Sequence, residues 1–539
     1  MVKRIGKSMA FLVVGAMLLF GMQSIFTPKW SDDGATNRVI SGFLNLENNT
    51  VDVLFLGTSY MGRGVSPMKI YEDAEICSYN LATSGQPLAC SYFLLKEAFK
   101  TQSPKVVFLE AGRIMDSEGN NSNAYWRYII DNFPRDDVFL ELADAYGQIP
   151  GSDGTLSALF PIIKYHTRWD KLTADDFKRE NTGSYYSAGQ YVMSYCPQNL
   201  PTRENIDNRT ERLLTKEEEE TEVKARSSTG VLPAQTAKKS VYSPELTDYG
   251  REYVLKIKEL CEENGAELVL IKMPVFLYPT ITKDVSWNRV KSGIIKKFAR
   301  EYNIDFFDTM YDYNVIDSKT DMHDDGHLNC IGAEKMSVFL EKILKKYDVR
   351  SGTNEQYEEN SEKYHEVAAI AKLQSENDFQ RYMCILVENR KNWTILISAC
   401  DEYTNSLTPL DYHYMWQLGL RLVQSGQLRD SYLAVIDSGE VLYEAVSEGK
   451  LSYEVSVRGK DMEINSAGYA AGSFSNIFIQ EEDYSVGGRG LNIVVIDNET
   501  DLIIDSVRFD TFSEYKTADR NKSDTYSRLR EYEGRQCFQ

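Results

Sequence analysis

The sequence predicts an α/β protein built on a parallel sheet, with a transmembrane helix before it and a β-rich α+β domain after it. Near-continuously apolar strand patterns alternate with helical patterns over the first two thirds of the chain. Such alternation is typical of a parallel sheet covered by helices on both faces. Short strand patterns separated by turns follow from about residue 379. A chain of 539 residues is also too long for a single core.

Residues 1–28 predict a cytoplasmic N-terminus and a transmembrane anchor. The apolar run Met9–Phe26 follows three basic residues and would span roughly 27 Å as a helix, close to the hydrocarbon thickness of a bilayer. Positive charge before the run places the N-terminus inside and the rest of the chain in an extracytoplasmic position. The alternatives are a cleaved signal peptide, although no clear cleavage site precedes Lys29, and a buried soluble helix.

Residues 36–349 predict the α/β domain. Its strands are predicted at Val51–Gly57, Lys105–Glu110, Glu267–Met273 and Ile304–Asp308. Its helices are predicted at Cys90–Lys100, Leu246–Glu263, Val290–Tyr302 and Ala333–Tyr347. An aromatic-rich insertion, residues 116–240, interrupts this order, and its polar part from residue 201 predicts a flexible loop.

A polar linker is predicted at 350–378, a separate β-rich domain at 379–515 and a loosely ordered polar tail at 516–539. Strands of the second domain are predicted at Trp393–Ser398, Tyr432–Ile436, Tyr453–Arg458, Ser475–Ile479 and Leu491–Ile496. One helix is predicted around Asp411–Gln424.

Charge and cysteine usage narrow the classes of function. A net charge of −20 excludes general binding to nucleic acid, whose phosphates would be repelled. The eight cysteines form no C-x-x-C motif and no zinc-like spacing, so neither a metal nor a cofactor is predicted. In an extracytoplasmic chain some cysteines could pair, and the sequence leaves the pairing open.

Ser59 directly follows the first predicted strand, in the sequence GTSY. A nucleophilic serine needs a base, a group that orients the base, and donors for the oxyanion. Among five histidines, His327 has Asp324 three residues before it, a spacing that lets the carboxylate fix the imidazole. His323, with Asp321 two residues before it, is a second candidate base. The alternative interpretation is a polar loop with two solvated histidines.

Three segments, GTSY, YNLATSGQ and DDGHLNCIGAEK, resemble in this order the conserved blocks of the SGNH/GDSL hydrolase superfamily, over Val51–Val349. The resemblance is closest to the membrane-anchored branch that includes the D-alanyl-lipoteichoic acid transfer protein and the alginate O-acetyltransferases. It implies a three-layer α/β/α sandwich of flavodoxin-like type. It also implies Ser59, Asp324 and His327 as catalytic residues, with an oxyanion hole formed by the amides of Ser59 and Gly85.

The third block departs from that family pattern. The family usually carries an Asn after the strand that is here Lys105–Glu110, whereas this chain reads LEAGRIMD, with no Asn before Asn120. One oxyanion donor is therefore missing or replaced, with Arg113 as the candidate replacement. Losing one such donor costs about 3 kcal/mol of transition-state stabilisation.

The insertion contains the sequence YHTRWDKL, in which three residues are candidates for substrate binding. We expect His166, Arg168 and Trp169 to line an acceptor groove, with Trp169 stacking on a sugar and Arg168 meeting an anionic group. The alternative is an aromatic helix face packed on the domain.

The C-terminal domain resembles the interleukin-like EMT-inducer family. The residues that carry the resemblance are G-R-G-L-N at Gly488–Asn492, F-D-T at Phe509–Thr511 and the segment Ile395–Thr404. This last segment precedes the G-R-G-L-N motif here, whereas it follows the motif in the animal proteins, so the order is circularly permuted. Related domains are linked to carbohydrate recognition, which implies a glycan-binding accessory. The alternative is a structural β-domain that packs on the enzyme.

These patterns together predict a membrane-anchored, extracytoplasmic serine esterase or O-acyltransferase. Its expected partners are a cell-surface polysaccharide or teichoic-acid-like polymer, the membrane, and a membrane-bound acyl-transfer protein. Water or a sugar hydroxyl would receive the acyl group. The alternative is a catalytically inactive SGNH-like protein that serves as a glycan-binding or assembly factor.

Overall fold

The computed structural model describes residues 13–15, 17–19, 21–28, 35–115, 123–177, 193–195, 246–275, 282–313, 315–317, 321–324, 326–374, 376–516 and 518–520. The chain divides into two compact units, residues 1–198 with 207–364, and residues 199–206 with 365–539. The predicted loop 201–240 and residues 521–539 of the predicted tail lie outside the described residues.

The predicted anchor Met9–Phe26 lies partly outside the described residues. Where the chain is described, no helix combines the length and the apolar character that crossing a membrane requires.

The first unit is built on a five-stranded sheet. Its strands are β1 (Val53–Leu56), β2 (Ser78–Asn80), β3 (Val106–Glu110), β4 (Glu267–Lys272) and β5 (Asp305–Asp308), in the spatial order β2-β1-β3-β4-β5. Every neighbouring pair is parallel. Successive side chains of β1 enter opposite cores, with Leu54 and Leu56 in one and Val53 and Phe55 in the other. The prediction of a parallel sheet buried on both faces is confirmed.

Helices cover both faces of this sheet. They are α1 (Ala35–Leu44), α2 (Ser59–Gly64), α3 (Pro67–Ala74), α4 (Leu88–Ala98), α5 (Asn123–Asn132), α6 (Asp137–Gln148), α7 (Thr155–Leu159), α8 (Ile162–Tyr165), α9 (Asp248–Glu263), α10 (Thr282–Glu301) and α11 (Cys330–Leu344). Short 3₁₀ segments lie at Ala111–Arg113, His166–Asp170 and Ala174–Phe177. The described part of the insertion is helical from α5 to α8, and its Trp126 and Tyr146 are fully buried in the core. The sequence indicated only that this region is rich in aromatic residues.

Helix α12 (Glu355–Leu373) lies where the sequence predicted a polar linker, so that prediction differs from the structure. The hydroxyl of Tyr357 donates to the carbonyl of Ser78 at 2.6 Å, and its ring packs on that of Tyr71 with centroids 5.0 Å apart. The Tyr71 hydroxyl in turn donates to Glu358 at 2.6 Å. These hydrogen-bond partners lie 279 and 287 residues apart in sequence, so the polar composition gave no sign of them.

The second unit contains the predicted β-rich α+β domain. Its strands are β6 (Trp393–Asp401), β7 (Ser431–Asp437), β8 (Glu440–Ser447), β9 (Leu451–Val457), β10 (Lys460–Gly468), β11 (Phe474–Ile479), β12 (Glu482–Asp483), β13 (Gly490–Asp497), β14 (Ile503–Phe509) and β15 (Ala518–Asp519). They form one sheet in the order β12-β11-β10-β6-β13-β14-β15, with β7 between β6 and β8 and with β9 beside β10. Helices α13 (Phe379–Asn389) and α14 (Pro409–Gln417) complete this unit.

Among the described cysteines, six are free, and five of these are buried. Cys196 and Cys537 lie outside the described residues.

Candidate active site

Ser59 lies at the carboxyl end of β1, in what we call the Ser59 turn (residues 57–60). Thr58 is the N-cap of α2, and its Oγ1 accepts a hydrogen bond from the Tyr60 amide at 3.4 Å. Gly57 has a φ of +156°, and a Cβ there would lie 2.4 Å from the Cβ of Glu110. Only glycine fits this close approach of two neighbouring strands. After Gly57 the chain leaves β1 and enters α2, whose first residue is Ser59.

Glu110, the last residue of β3, holds the Ser59 turn from the adjacent strand. Its side chain is buried, and its Oε2 accepts from the Thr58 amide at 3.2 Å and from the Thr58 hydroxyl at 2.8 Å. Its Oε1 accepts from the Gly112 amide at 2.8 Å. No motif in the sequence indicated a role for Glu110. The available signal was a lone carboxylate that ends an apolar strand, VVFLE.

The loop that carries Gly85 lies beside the Ser59 turn. The Thr83 amide donates to the Gly57 carbonyl at 3.2 Å, which extends the pairing of β1 and β2 beyond the strand ends. Gly85 has a φ of +58°, and a Cβ there would lie 2.5 Å from the ring of Tyr125. A left-handed conformation under an aromatic ring therefore explains the glycine. The role of its amide as an oxyanion donor stays a prediction.

Residues 321–324 and 326–329, which we call the His327 loop, lie between β5 and α11 and approach each other closely. Met322 and Leu328 pair as an antiparallel bridge, and both are buried. Within the loop the His323 amide donates to the His327 carbonyl at 2.8 Å. This closure places the two histidines on one small loop and decides which of their rings faces the Ser59 turn.

Asp321 anchors the His327 loop to α11. Its buried carboxylate forms an ion pair with Lys335 at 2.7 Å, and its carbonyl accepts from the Asn329 amide at 3.0 Å. Asn329 then caps α11 by accepting from the Gly332 amide at 3.0 Å. The carboxylate of Asp321, which the sequence suggested as a partner for His323, is therefore paired with Lys335.

Ser59, His327 and Asp324 form a continuous chain of hydrogen bonds. His327 Nε2 lies 2.8 Å from Ser59 Oγ, and His327 Nδ1 lies 2.8 Å from Asp324 Oδ2. Because an ionised carboxylate only accepts, we assign the proton to Nδ1 and the acceptor role towards the Ser59 hydroxyl to Nε2. The structure thus directs His327, rather than His323, at Ser59.

Asp324 is organised to remain ionised. Burial pushes its pKa upward, but the bond from the His327 ring and those from the amides of Gly326 and His327 outweigh burial and hold the pKa well below its usual range. A charged carboxylate in this position orients the imidazole and stabilises the imidazolium that forms when His327 takes a proton.

Tyr60 borders the chain of hydrogen bonds on the side of His327. Its ring lies 5.3 Å from the His327 ring between centroids, and Gly326 leaves room for it, since a Cβ there would lie 2.6 Å from the ring. Burial has the largest effect on the pKa of Tyr60 and raises it, and the negative charge of Glu110 raises it further. The positive charge of Arg113 lowers the same pKa. Arg113 therefore lies within electrostatic reach of the site, and Tyr60 keeps its proton at neutral pH.

The candidate substrate-binding residues of the insertion have local partners. Arg168 donates to the Phe26 carbonyl at 2.6 Å and pairs at 2.9 Å with Asp176, which is fully buried. A ring nitrogen of His166 lies 2.9 Å from the Ile163 carbonyl. Trp169, by contrast, is 72% exposed. The contacts of Arg168 favour a structural role, whereas the indole of Trp169 is presented to solvent.

Across the described residues, no cluster of His, Cys, Asp and Glu suits a metal ion.

Comparison with known proteins gives weak similarities. No family model matches the sequence, and no curated protein matches it. A GDSL-like lipase from Bacteroides thetaiotaomicron VPI-5482 is 13% identical with a TM-score of 0.27, over 58% of this chain and 97% of that chain. A Bacteroides fragilis NCTC 9343 protein described as an acylhydrolase is 13% identical with a TM-score of 0.26, over 57% of this chain and 95% of that one. Such TM-scores are too low to assign the chain to their family.

Proposed function

We propose that this chain is a serine acyl-transfer enzyme, and more narrowly a serine esterase or O-acyltransferase of SGNH/GDSL type. The observation that carries the proposal is the hydrogen-bond chain from Ser59 Oγ through His327 to Asp324, with steps of 2.8 Å. Nucleophile, base and orienting carboxylate are recognised by this geometry rather than by their order in a sequence.

In the first half of the reaction, Ser59 Oγ attacks the carbonyl carbon of an acyl ester while His327 Nε2 takes its proton. The negative charge that develops on the carbonyl oxygen is stabilised by the amides of Ser59 and Gly85. The bond to the leaving alcohol then breaks, and His327 returns the proton to that alcohol. The product is an ester between the acyl group and Ser59.

In the second half, water or a sugar hydroxyl attacks the acyl-serine ester and loses its proton to His327. Collapse of the second tetrahedral intermediate returns that proton to Ser59 Oγ and releases the acid or the acylated sugar. Asp324 stays ionised throughout and orients the imidazole in both halves. The identity of the attacking hydroxyl separates an esterase from an O-acyltransferase.

The finer part of the proposal concerns place and substrate. We propose a membrane-anchored enzyme on the extracytoplasmic side that acts on acyl groups of a cell-surface polysaccharide or teichoic-acid-like polymer, with a membrane-bound acyl-transfer partner. The apolar run Met9–Phe26 and the resemblance to the membrane-anchored branch support this proposal. The exposed indole of Trp169 is suited to stack on a sugar.

A second candidate function is glycan binding or assembly without catalysis, through the interleukin-like EMT-inducer-type domain. One observation favours it. Two aromatic rings on the surface of this domain each lie under a guanidinium group: Tyr469, 58% exposed, under Arg429 at 4.5 Å, and Phe512, 40% exposed, under Arg489 at 4.2 Å. Surfaces that combine aromatic rings with charged donors suit sugars. This role would be supported if the chain binds surface polymer and if Tyr469→Ala and Phe512→Ala each abolish that binding while the variants remain folded.

A fluorophosphonate probe tests the enzymatic proposal directly. The purified chain should gain one adduct on Ser59, located by peptide mass spectrometry, and should hydrolyse 4-nitrophenyl acetate. Ser59→Ala should lose the adduct and reduce hydrolysis by about 10⁴-fold or more while its circular dichroism is unchanged. A folded chain that gains no adduct on Ser59 would overturn the proposal and leave glycan binding as the stronger candidate.

A further inference from the structure

The carboxylate of Glu110 occupies an unusual place for a charged side chain. It is only 3% exposed, and it ends a strand whose other residues belong to the core. Three donors converge on it: the amide of Thr58, the hydroxyl of Thr58 and the amide of Gly112. Buried carboxylates are retained where they are fully hydrogen-bonded, since an unsatisfied one is costly. Two of these three bonds go to the residue that directly precedes Ser59.

We infer that Glu110 is a positioning residue for Ser59. This inference rests on the proposed function and adds to it a residue outside the hydrogen-bond chain of Ser59, His327 and Asp324. Glu110 acts through Thr58 and does not itself touch the reacting atoms.

The positioning runs through the Thr58 hydroxyl. That hydroxyl donates its proton to Glu110 at 2.8 Å, so its lone pairs are directed away from the carboxylate and one of them accepts from the Tyr60 amide at 3.4 Å. Without Glu110 the hydroxyl could rotate and point its proton elsewhere. The carboxylate therefore fixes the amides on both sides of Ser59, the Thr58 amide directly and the Tyr60 amide through Thr58.

The amide of Ser59 gains most from this arrangement. As the first residue of α2 it has no intrahelical acceptor, because the first amides of a helix lack a carbonyl four residues before them. With the flanking peptide units fixed, this amide keeps one direction, which is what an oxyanion donor needs before the reaction begins. The benefit appears when charge develops on the carbonyl oxygen, so it should affect kcat more than KM.

The substitution Glu110→Met removes the carboxylate at similar length and without branching. Glutamine would not serve, because its oxygen could still accept both Thr58 bonds while its NH₂ group faced only the Gly112 amide. Methionine offers no oxygen to the amide of Thr58, the hydroxyl of Thr58 or the amide of Gly112. The Ser59 turn then loses its fixed geometry, although the strand and the core remain.

Three variants separate positioning from general stability. Glu110→Met removes the acceptor, Thr58→Val removes the hydroxyl at nearly equal volume, and Thr58→Ser restores a hydroxyl. The matched control is Asp52→Asn, since Asp52 is a buried carboxylate that comes directly before β1 at its other end and pairs with Arg350 at 2.6 Å. Each full-length variant is measured for kcat and KM with 4-nitrophenyl acetate, for its rate of fluorophosphonate labelling, and for its Tm.

We expect Glu110→Met and Thr58→Val each to lower kcat and the labelling rate by about 10- to 100-fold with little change in KM, the size that a misplacement near 1 Å produces. The double variant should be no slower than the slower single variant, because both changes break the same relay. Thr58→Ser should recover most of the loss that Thr58→Val causes. Asp52→Asn should lower the Tm while kcat is retained.

Two results would overturn the inference. One is Glu110→Met with the kcat and labelling rate of the original chain. The other is loss of rate that simply follows Tm, so that Asp52→Asn slows the enzyme as much as Glu110→Met at equal destabilisation. If Glu110→Met does not fold, Thr58→Val and Thr58→Ser decide the question alone, because equal rates for these two variants would contradict a relay through the Thr58 hydroxyl. An original chain that is never labelled at Ser59 contradicts the proposed function instead.

Discussion

The Ser59 turn and the His327 loop supply the two halves of the same candidate site, yet they are held in different ways. The Ser59 turn is fixed by neighbouring strand ends, through Glu110 on β3 and through the Thr83 amide beyond β2. The His327 loop is fixed largely by its own residues, through the Met322–Leu328 pairing and the bonds that Asp324 accepts from Gly326 and His327.

This difference has a physical consequence for each half. Gly57 and Thr58 of the Ser59 turn are buried beside strands that cannot move apart without opening the core, so the geometry of the turn is part of the sheet. The Asp324 side chain is 47% exposed, and the hydrogen bonds that organise the His327 loop join residues close in sequence. We therefore expect a steric change in the backbone of the turn to cost more stability than one in the loop, and side-chain changes in the loop to affect the chemistry with little effect on the fold.

The largest expected effect comes from Asp324→Asn in the loop. The amide can offer its NH₂ to His327 Nδ1, which would place the ring proton on Nε2, where it cannot accept from Ser59. We expect a loss of about 10³- to 10⁴-fold in kcat, with a Tm within a few degrees of the original chain. Steady-state kinetics and thermal melts check this, and retained activity would mean that Asp324 does not orient the base.

A pair of glycine substitutions sharpens the contrast in stability. At Gly57 an added Cβ meets the Cβ of Glu110 at 2.4 Å, and neither strand can move away, so Gly57→Ala should cost about 2–3 kcal/mol. At Gly326 it meets the edge of the Tyr60 ring, which can turn aside, so Gly326→Ala should cost about 1 kcal/mol or less. Urea unfolding measures both. Equal costs would contradict the distinction between turn and loop.

The smallest expected effect is the response of the loop to acid. The pKa of Asp324 is lower in the folded chain than its ordinary value, so its contribution to stability is present above about pH 4 and is lost as the pH falls below that. Because the side chain is half exposed, we expect less than about 1 kcal/mol.

Hydrogen exchange between pH 6 and pH 3, corrected for intrinsic rates, measures this response. The amides of Gly326 and His327, which donate to Asp324, should lose protection. The Thr83 amide, which donates to the backbone carbonyl of Gly57, should not. Asp324→Asn should abolish the pH dependence, and parallel loss at all three amides would indicate general unfolding instead.

Four strands and four helices of the first unit were predictable because each carries its own local pattern. The apolar strands β1, β3, β4 and β5 lie close to their predicted bounds, since burial on both faces leaves few polar residues in such strands. The helices α4, α9 and α11 also lie close to theirs, whereas α10 begins at Thr282 rather than at the predicted Val290. The first part of helix α12, up to Tyr364, belongs to this unit and was not predictable as part of it. Its composition is polar, and the buried hydroxyl bond of Tyr357 depends on a partner 279 residues away.

The candidate site divides in the same manner. The sequence offered Ser59 from its place after a strand, and Asp324 with His327 from their spacing, because these are relations between near neighbours. It did not indicate Glu110, whose role arises only when β3 lies beside β1. It also suggested a substrate contact for Arg168, whose guanidinium is instead engaged by Asp176 and the Phe26 carbonyl.

The sequence alone therefore determined the alternation of strands and helices, the serine at a strand end and a D-x-x-H pair to serve it. Only the tertiary structure decided that His327 rather than His323 faces Ser59, that Asp321 pairs with Lys335, and that Glu110 holds the Ser59 turn. The physical reason is the range of the interactions concerned. Hydrophobic periodicity and loop spacing are local properties of the chain, whereas the direction of a ring or a carboxylate is set by groups that folding brings from distant strands and helices.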